Sequence, residues 1–206
     1  MRLSFIGHRR NSPAATPELQ APLVASRIAV GTRAPLRTFD RRDVEFTFYR
    51  VFVPSLMIDH TELILRQAGV VGHEGFVVWA GTIGHTDAYV SSLIIPRATS
   101  SSTHGAISSE TTSKVLEALD SRDLVPILQI HSHPQRAFLS ETDAIRPIVA
   151  VPGFISIVIP DFGFVDLADV NLWSAHEFVS MRNWHELTGD EKRNRFVIDD
   201  SIIRVG

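Results

Sequence analysis

The residues that could carry chemistry lie in one short stretch, from His131 to Asp143 of a 206-residue chain. An apolar run at 124–128 precedes them and predicts a buried strand. Side chains at i and i+2 of a strand point to the same face, so His131 and His133 should leave the sheet together. Pro134 has no N–H to donate and ends the strand. The two imidazoles are therefore placed to bind one ion.

A carboxylate follows these histidines at the start of a predicted helix. Ser140 is typical of a helix N-cap, and the helical turn after it would bring Asp143 back toward His131 and His133. Two imidazoles and one carboxylate form a three-ligand site, and catalytic zinc characteristically has three protein ligands and an open fourth position. The alternative is a chance pair of exposed strand histidines, because His-x-His alone is weak evidence for a metal site.

The complete pattern is more specific than its parts. His-x-His, six residues and then Ser-x-x-Asp, at a strand end and a helix start, resembles the signature of the JAB/MPN (JAMM) zinc metalloprotease family. Many members have seven residues where this chain has the six from Pro134 to Leu139, and a surface loop tolerates such a deletion. Segments 91–96 and 153–160 resemble the family's second strand and the strand after its metal-binding helix. The resemblance covers roughly residues 44 to 180.

The resemblance implies a role for each residue of the site. His131, His133 and Asp143 would be the zinc ligands. The family also has an upstream glutamate between a helix and a strand, and Glu74 fits that place. Glu74 would take a proton from zinc-acidified water and pass it to the departing amine, acting first as general base and then as general acid. Ser140 would donate a hydrogen bond to the oxyanion, a role compatible with capping a helix.

The resemblance also implies a fold and a substrate class. The expected fold is α/β (α+β), a JAB/MPN cytidine-deaminase-like domain with a mixed central sheet flanked by helices. The run from Ala137 to Ser140 looks closest to prokaryotic deubiquitinase-like members. Such enzymes cleave a peptide or isopeptide bond after the C-terminal tail of a ubiquitin-like protein. They accompany activating-type and conjugating-type enzymes, in several cases in antiphage defence.

Two other functions stay open at this point. One is a non-catalytic scaffold that uses the same fold to bind partners. The other is a superfamily relative with another substrate, such as a phage-tail peptidase or a DNA-repair-associated protein. An open three-ligand site disfavours the scaffold, since a scaffold has no need of one.

The rest of the chain divides into elements that position this site. Trp173 and Phe178 are expected to lie in the hydrophobic core. We predict an entry strand at 44–53, a helix from Ser55 that ends near Gly69 and delivers Glu74, strands at 76–82 and 87–95, a mobile loop within 97–110, a helix from Ser108 or Ser109 to Leu119, strands at 154–159 and 170–178, and a charged turn at 189–195 before a final strand at 196–200.

Composition is that of an ordinary soluble globular protein, with 44% hydrophobic and 21% charged residues. Cysteine is absent, which excludes disulfides, a thiol nucleophile and a cysteine-type zinc site. No apolar run approaches the roughly 18–20 residues of a membrane span. We therefore expect a cytoplasmic protein with no membrane association and no nucleic-acid partner. The family resemblance implies one zinc ion per chain.

Residues 1–43 differ in charge from the rest of the chain. They contain eight arginines, no lysine and three acidic residues, a local net charge of +5. The whole chain carries −3, which leaves −8 for residues 44–206. The sequence predicts an Arg-rich N-terminal extension at 1–43, followed by the JAB/MPN-like domain at 44–206. The extension could be poorly ordered, a partner-binding arm, a targeting segment or the product of an upstream start codon.

Overall fold

The structure, a computed structural model, describes Phe46, residues 48–96 and residues 107–199. The extension predicted at 1–43 and most of the predicted mobile loop lie outside these residues, so that domain boundary stays a prediction. No helix in the described part of the chain is long and apolar enough to cross a membrane. The strands are β1 (Arg50–Pro54), β2 (Phe76–Ile83), β3 (Asp87–Ile94), β4 (Val125–Ser132), β5 (Ile155–Ile159), β6 (Ser174–Ser180), β7 (Asn183–Glu186) and β8 (Phe196–Asp199), and the helices are α1 (Ser55–Val70), α2 (Ser109–Asp120), α3 (Glu141–Ile145) and α4 (Gly189–Arg195).

All eight strands form one mixed sheet in the order β7-β6-β5-β4-β2-β3-β1-β8. β4 lies at its centre, antiparallel to β2 and parallel to β5. β1 runs parallel to both β3 and β8. The predicted α+β fold with a mixed central sheet is confirmed, and the strand that carries the histidine pair occupies the middle of that sheet.

The sheet is curled rather than flat. Only residues 187–195 separate β7 from β8, although these strands stand at opposite ends of the sheet order. Strands lie about 4.8 Å apart, so a flat sheet would separate its two edges by about 34 Å. The seven-residue α4 spans only about 10 Å. Arg195, at the end of α4, accordingly reaches both Glu177 on β6 and the carbonyl oxygen of Phe48, beside β1.

Burial explains why the central strands have the sequences they have. Every residue of β5 is buried, as is every residue of β4 after the first. β5 and the first half of β4 are accordingly rich in apolar residues. Trp79 on β2 is fully buried and donates its indole N–H to Thr61 of α1 across 2.8 Å. This hydrogen bond fastens α1, the helix that precedes Glu74, to the sheet. The core positions predicted for Trp173 and Phe178 are confirmed, since both are buried.

Several predicted boundaries differ from the observed ones. The entry strand begins at Arg50 rather than at residue 44, and the strand predicted at 170–178 is a 3-10 turn followed by β6. The charged turn predicted at 189–195 is the helix α4, which a capping box between Thr188 and Glu191 begins. β7 was not predicted. It is four residues long and mostly exposed, so no apolar alternation marks it.

Gly81 provides a test of the close approach between β2 and β3. A Cβ atom at this position would overlap the backbone carbonyl oxygen of Tyr89, and the β2–β3 register shifts at Ala80/Gly81. Because backbone cannot move aside as a flexible side chain can, we expect Gly81→Ala to lower the free energy of unfolding by about 3 kcal/mol. Urea denaturation measures this change.

Gly84 is the matched control, in the loop that joins the same two strands. A Cβ atom there would lie 3.4 Å from its nearest neighbour, which is ordinary contact. Gly84→Ala should therefore leave the urea midpoint nearly unchanged. Equal midpoints for the two variants would contradict the observed strand packing.

Candidate metal centre

β4 delivers two histidines to one buried end of the sheet. His131 is 1% exposed, and its ring stacks on that of Phe76, its partner on β2, with centroids 6.3 Å apart. His133 lies just beyond the strand, where its backbone N–H donates to the carbonyl oxygen of Ile159 on β5. The two imidazole centroids are 5.0 Å apart. The i, i+2 spacing thus places both rings on the same side, as predicted.

The short helix α3 brings Asp143 to these rings. Ser140 is its N-cap: the hydroxyl accepts the backbone N–H of Asp143, and the Asp143 carboxylate accepts the backbone N–H of Ser140. This reciprocal capping box satisfies N–H groups that a helix start would otherwise leave unpaired. It also holds the carboxylate close to the histidines, with Oδ2 of Asp143 3.3 Å from Nε2 of His131 and 3.4 Å from Nε2 of His133.

The spacing of these atoms fits a tetrahedral metal ion. Zinc bonds to nitrogen and oxygen of about 2.0–2.1 Å place neighbouring ligand atoms about 3.3–3.4 Å apart in a tetrahedron. Both carboxylate–imidazole distances have this value, and one donor atom from each of the three side chains lies within 4.8 Å of the others. Among the described residues, His131, His133 and Asp143 are the group that could hold a metal ion.

The unpaired nitrogens of His131 support the same interpretation. Both Nδ1 and Nε2 are buried and make no hydrogen bond, because the 3.3 Å approach to Asp143 lacks hydrogen-bond geometry. Buried polar atoms without a partner are costly and rare in native proteins. A metal bond to one of the two nitrogens would remove part of this cost. The donor set of two imidazoles and one carboxylate suits zinc.

The surroundings of Asp143 keep its carboxylate ionised, which is the form that can bind a metal ion. Burial raises the pKa of Asp143, but the adjacent imidazoles of His131 and His133 and the hydrogen bond from Ser140 outweigh burial and hold that pKa well below its usual range. The hydrogen bond to Asp143 in turn raises the pKa of His133, against the opposing effect of burial, and the nearby charge of Glu74 raises it further. A carboxylate that stays ionised is ready to bind a cation.

Glu74 lies in the connection between α1 and β2, two residues before the strand begins. Its partly buried side chain is near enough to His133 to raise the pKa of that imidazole. The next residue, Gly75, is locked to the end of β4: its N–H donates to Oγ of Ser132, and its carbonyl oxygen accepts the N–H of Ser132, both at 3.0 Å. Ser132 therefore secures the backbone beside Glu74.

A turn at 161–163 ties the metal end of β4 to α1. Asp161, Phe162 and Gly163 all have positive φ, at 50°, 54° and 82°. For the two non-glycine residues this conformation costs about 1 kcal/mol or more each, so surrounding contacts must hold it. The N–H of Phe162 donates to the carbonyl oxygen of His133, and Arg66 of α1 donates to that of Gly163. The turn thus fixes the helix leading to Glu74 relative to the histidine strand.

Ser140 uses its single hydroxyl proton inside the site. The hydroxyl donates to Oδ2 of Asp143 across 2.6 Å while it accepts the N–H of the same residue. A hydroxyl has one donor, so stabilising an oxyanion would require this proton to turn away from Asp143. These hydrogen bonds are those of a helix N-cap, so the structure supports the capping role of Ser140. The oxyanion role stays a prediction.

Sequence reasoning missed two polar residues that support the site. Gln129 on β4 donates to Ser156 on β5 and accepts the N–H of Ile148, which holds the chain after α3 against the sheet. A glutamine within an apolar run was a signal for such a role. Trp184 on β7 donates its indole N–H to the carbonyl oxygen of Ala144 in α3, and no local pattern marks that contact.

Comparison with curated proteins shows a sequence relative that is also named for a chemical activity. A protein of Sinorhizobium fredii named "Probable metalloprotease y4jG" is 29% identical over 143 residues, which is 66% of this chain and 86% of the relative. No protein-family model matches the sequence.

Solved structures give further matches at low sequence identity. The solution structure of protein DSY2949 from Desulfitobacterium hafniense matches with a TM-score of 0.53 and 14% identity, over 73% of this chain and 94% of that one. A JAB1/MPN domain protein from Archaeoglobus fulgidus matches with a TM-score of 0.41 and 14% identity, over 73% and 99% of the two chains. A Salinibacter ruber protein matches with a TM-score of 0.46 and 19% identity, over 75% and 94%. The first likeness concerns the fold alone, and the other two scores are too low to carry an argument.

The raised pKa of His133 predicts how metal affinity depends on pH. A ligand imidazole must be neutral, so protons compete with the metal below its pKa. Because Asp143 raises that pKa above the ordinary 6.5, competition should begin above pH 6.5. We expect the apparent affinity for zinc to fall by about tenfold or more between pH 8 and pH 6. Competition titration with a chromophoric chelator measures it.

His185→Gln is the control for this titration. His185 is an exposed histidine whose hydrogen-bond partner is Glu191, not a residue of the site. The variant should reproduce the wild-type pH dependence. A zinc affinity that stays constant from pH 8 to pH 6 would be incompatible with His133 as a ligand.

Proposed function

We propose that this chain is a JAB/MPN-type, zinc-dependent peptidase acting on peptide or isopeptide bonds. The observation that carries the proposal is the buried cluster of His131, His133 and Asp143, in which both carboxylate–imidazole distances match the ligand spacing of a tetrahedral zinc ion. The Sinorhizobium fredii relative, named a probable metalloprotease, supports a metal-dependent hydrolase of this kind.

The chemistry of the proposal divides between the ion and the chain. When bound, zinc supplies a Lewis acid and lowers the pKa of water. Glu74 is close to His133 and takes a proton from the attacking water while the water oxygen bonds to the carbonyl carbon of the substrate. Glu74 then gives this proton to the amine that leaves as the C–N bond breaks. Asp143 stays ionised throughout, because its hydrogen bonds hold its pKa low.

The substrate we propose is the C-terminal tail of a ubiquitin-like protein, cleaved in maturation or in removal from a target. The resemblance of the motif to prokaryotic deubiquitinase-like members supports this choice. Phe138 is also suited to it, since its ring is 54% exposed and lies edge-on to His133, 4.9 Å between centroids. An exposed aromatic ring beside the metal ligands offers apolar contact to an extended peptide. Partner enzymes of activating and conjugating type, an antiphage setting and a cytoplasmic location complete the proposal.

Elemental analysis of purified protein tests the metal. Wild type should contain about one zinc per chain, and His133→Ala should lose it, because two remaining ligands hold zinc much less tightly than three. His60→Ala is the matched control, since His60 is an exposed histidine of α1. It should retain the wild-type zinc content. Absence of zinc from wild type, even after metal is added at neutral pH, would favour the scaffold.

A cleavage assay tests the chemistry. Glu74→Gln should keep the zinc and lose about a hundredfold to ten-thousandfold in kcat, the range expected when a general acid–base is removed. Glu141→Gln is the control, because Glu141 is an exposed first-turn acid of α3, close to the site in sequence. It should cleave at the wild-type rate. An unchanged rate in Glu74→Gln would refute the proposed mechanism.

The substrates for this assay should include fusions to ubiquitin-like proteins, cell-wall peptides and DNA. Cleavage after the modifier's tail supports the proposed substrate. Zinc-dependent turnover of cell-wall peptides or DNA alone would instead support a superfamily relative with another substrate. No cleavage of any substrate by zinc-loaded protein would support the scaffold.

A further inference from the structure

α3 is too short to hold its own position. It has five residues, about one and a half turns, whereas isolated helices below about 12–15 residues are marginal in water. Asp143 is its only buried residue, and that residue is polar. Apolar burial therefore contributes little to fixing this helix. Its position must depend on specific polar contacts.

The N-terminal end of α3 is closed by its own residues, whereas the carbonyl oxygen of Ala144, near the C-terminal end, is bound by a residue far along the chain. The capping box between Ser140 and Asp143 closes the first turn within the same segment. The last carbonyl groups of a helix have no partner inside it and need one from elsewhere. The indole N–H of Trp184, forty residues further along the chain, donates to the carbonyl oxygen of Ala144 across 3.0 Å. This hydrogen bond joins the ligand-bearing helix to the sheet.

Trp184 is itself held firmly on the sheet edge. It pairs with Phe178 of β6, and the two rings meet edge-to-face with centroids 5.0 Å apart. The backbone N–H of Phe178 donates to the carbonyl oxygen of Phe154. The β6–β7 register also shifts between Phe178 and Ser180. Such irregularities re-aim side chains near functional sites.

We propose that Trp184 is a positioning residue for the metal site: its indole N–H fixes α3 so that Asp143 stays at ligand distance from both histidines. The inference rests on the metal site of the proposed function. Groups that orient metal ligands without touching the metal typically contribute a factor of about 10–100 in metal affinity. The contact comes from β7, at the sheet edge and outside the ligand motif.

The variant Trp184→Phe tests this role, because it keeps an aromatic ring and removes the N–H. Trp173→Phe is the matched control: the indole nitrogen of Trp173 is buried and has no hydrogen-bond partner. Its ring packs against Trp79 and Phe196 in the core. The control should therefore lower the urea midpoint and leave zinc affinity within about twofold. Trp184→Phe should weaken zinc binding by about tenfold or more with a smaller change in the urea midpoint.

Hydrogen exchange of the metal-free protein separates this inference from the proposed function. The backbone N–H groups of Ala144 and Arg146 donate within the α3 segment, so they report its opening. They should exchange at least about tenfold faster in Trp184→Phe than in wild type or Trp173→Phe. Unchanged exchange, or unchanged zinc affinity in Trp184→Phe, overturns the inference while the zinc peptidase stands. A wild-type chain that binds no zinc overturns both.

Discussion

The burial of the Asp143 carboxylate is the constraint on which the site depends. An ionised carboxylate away from water is costly unless hydrogen bonds and a positive partner compensate it. Ser140 provides two hydrogen bonds to Oδ2, and the imidazoles of His131 and His133 supply the remaining stabilisation. The protein's own groups leave this compensation incomplete, because both ring nitrogens of His131 lack a hydrogen-bond partner. A bound cation would satisfy the carboxylate and an imidazole nitrogen together.

Three parts of the fold meet to maintain this arrangement. The central position of β4 buries its histidines on both sides, between β2 and β5. The left-handed turn at 161–163 and the paired backbone hydrogen bonds between Ser132 and Gly75 join the end of β4 to α1 and to Glu74. Trp184 joins α3 to the far edge of the sheet. Each part positions a different component: the imidazoles, the glutamate proposed as the general base, and the carboxylate.

The same contacts explain how the site can be rigid although the segments that carry Glu74 and Asp143 are short. Glu74 lies in a loop, and α3 has only five residues, so neither has much apolar surface to bury. The positions of Glu74 and α3 are instead fixed by hydrogen bonds to rigid strands. Such hydrogen bonds replace bonds to water, so they add little net free energy, but they are strongly directional. The polar contacts that position Glu74 and α3 should therefore matter more for metal binding than for overall stability.

The sequence by itself determined the candidate ligand set and the elements that carry it. A period of two in a strand puts His131 and His133 on one face, and the serine cap at Ser140 starts a helix that returns Asp143 to them. These are local rules, which act over a few residues and can be read without the fold. The helix α1 and the strands β2, β3 and β5 follow from apolar patterns of the same range.

Only the tertiary structure decided how the site is supported. The curl of the sheet, the pairing of β7 with β6 and the hydrogen bond from Trp184 to Ala144 join residues far apart in the chain. The hydrogen bond that the Ser140 hydroxyl donates to Asp143 likewise depends on the position of α3. Such contacts leave no periodic signal, because either partner would be an ordinary surface or core residue in another fold. Local chemistry thus selected the ligands, and long-range packing set the distances between them.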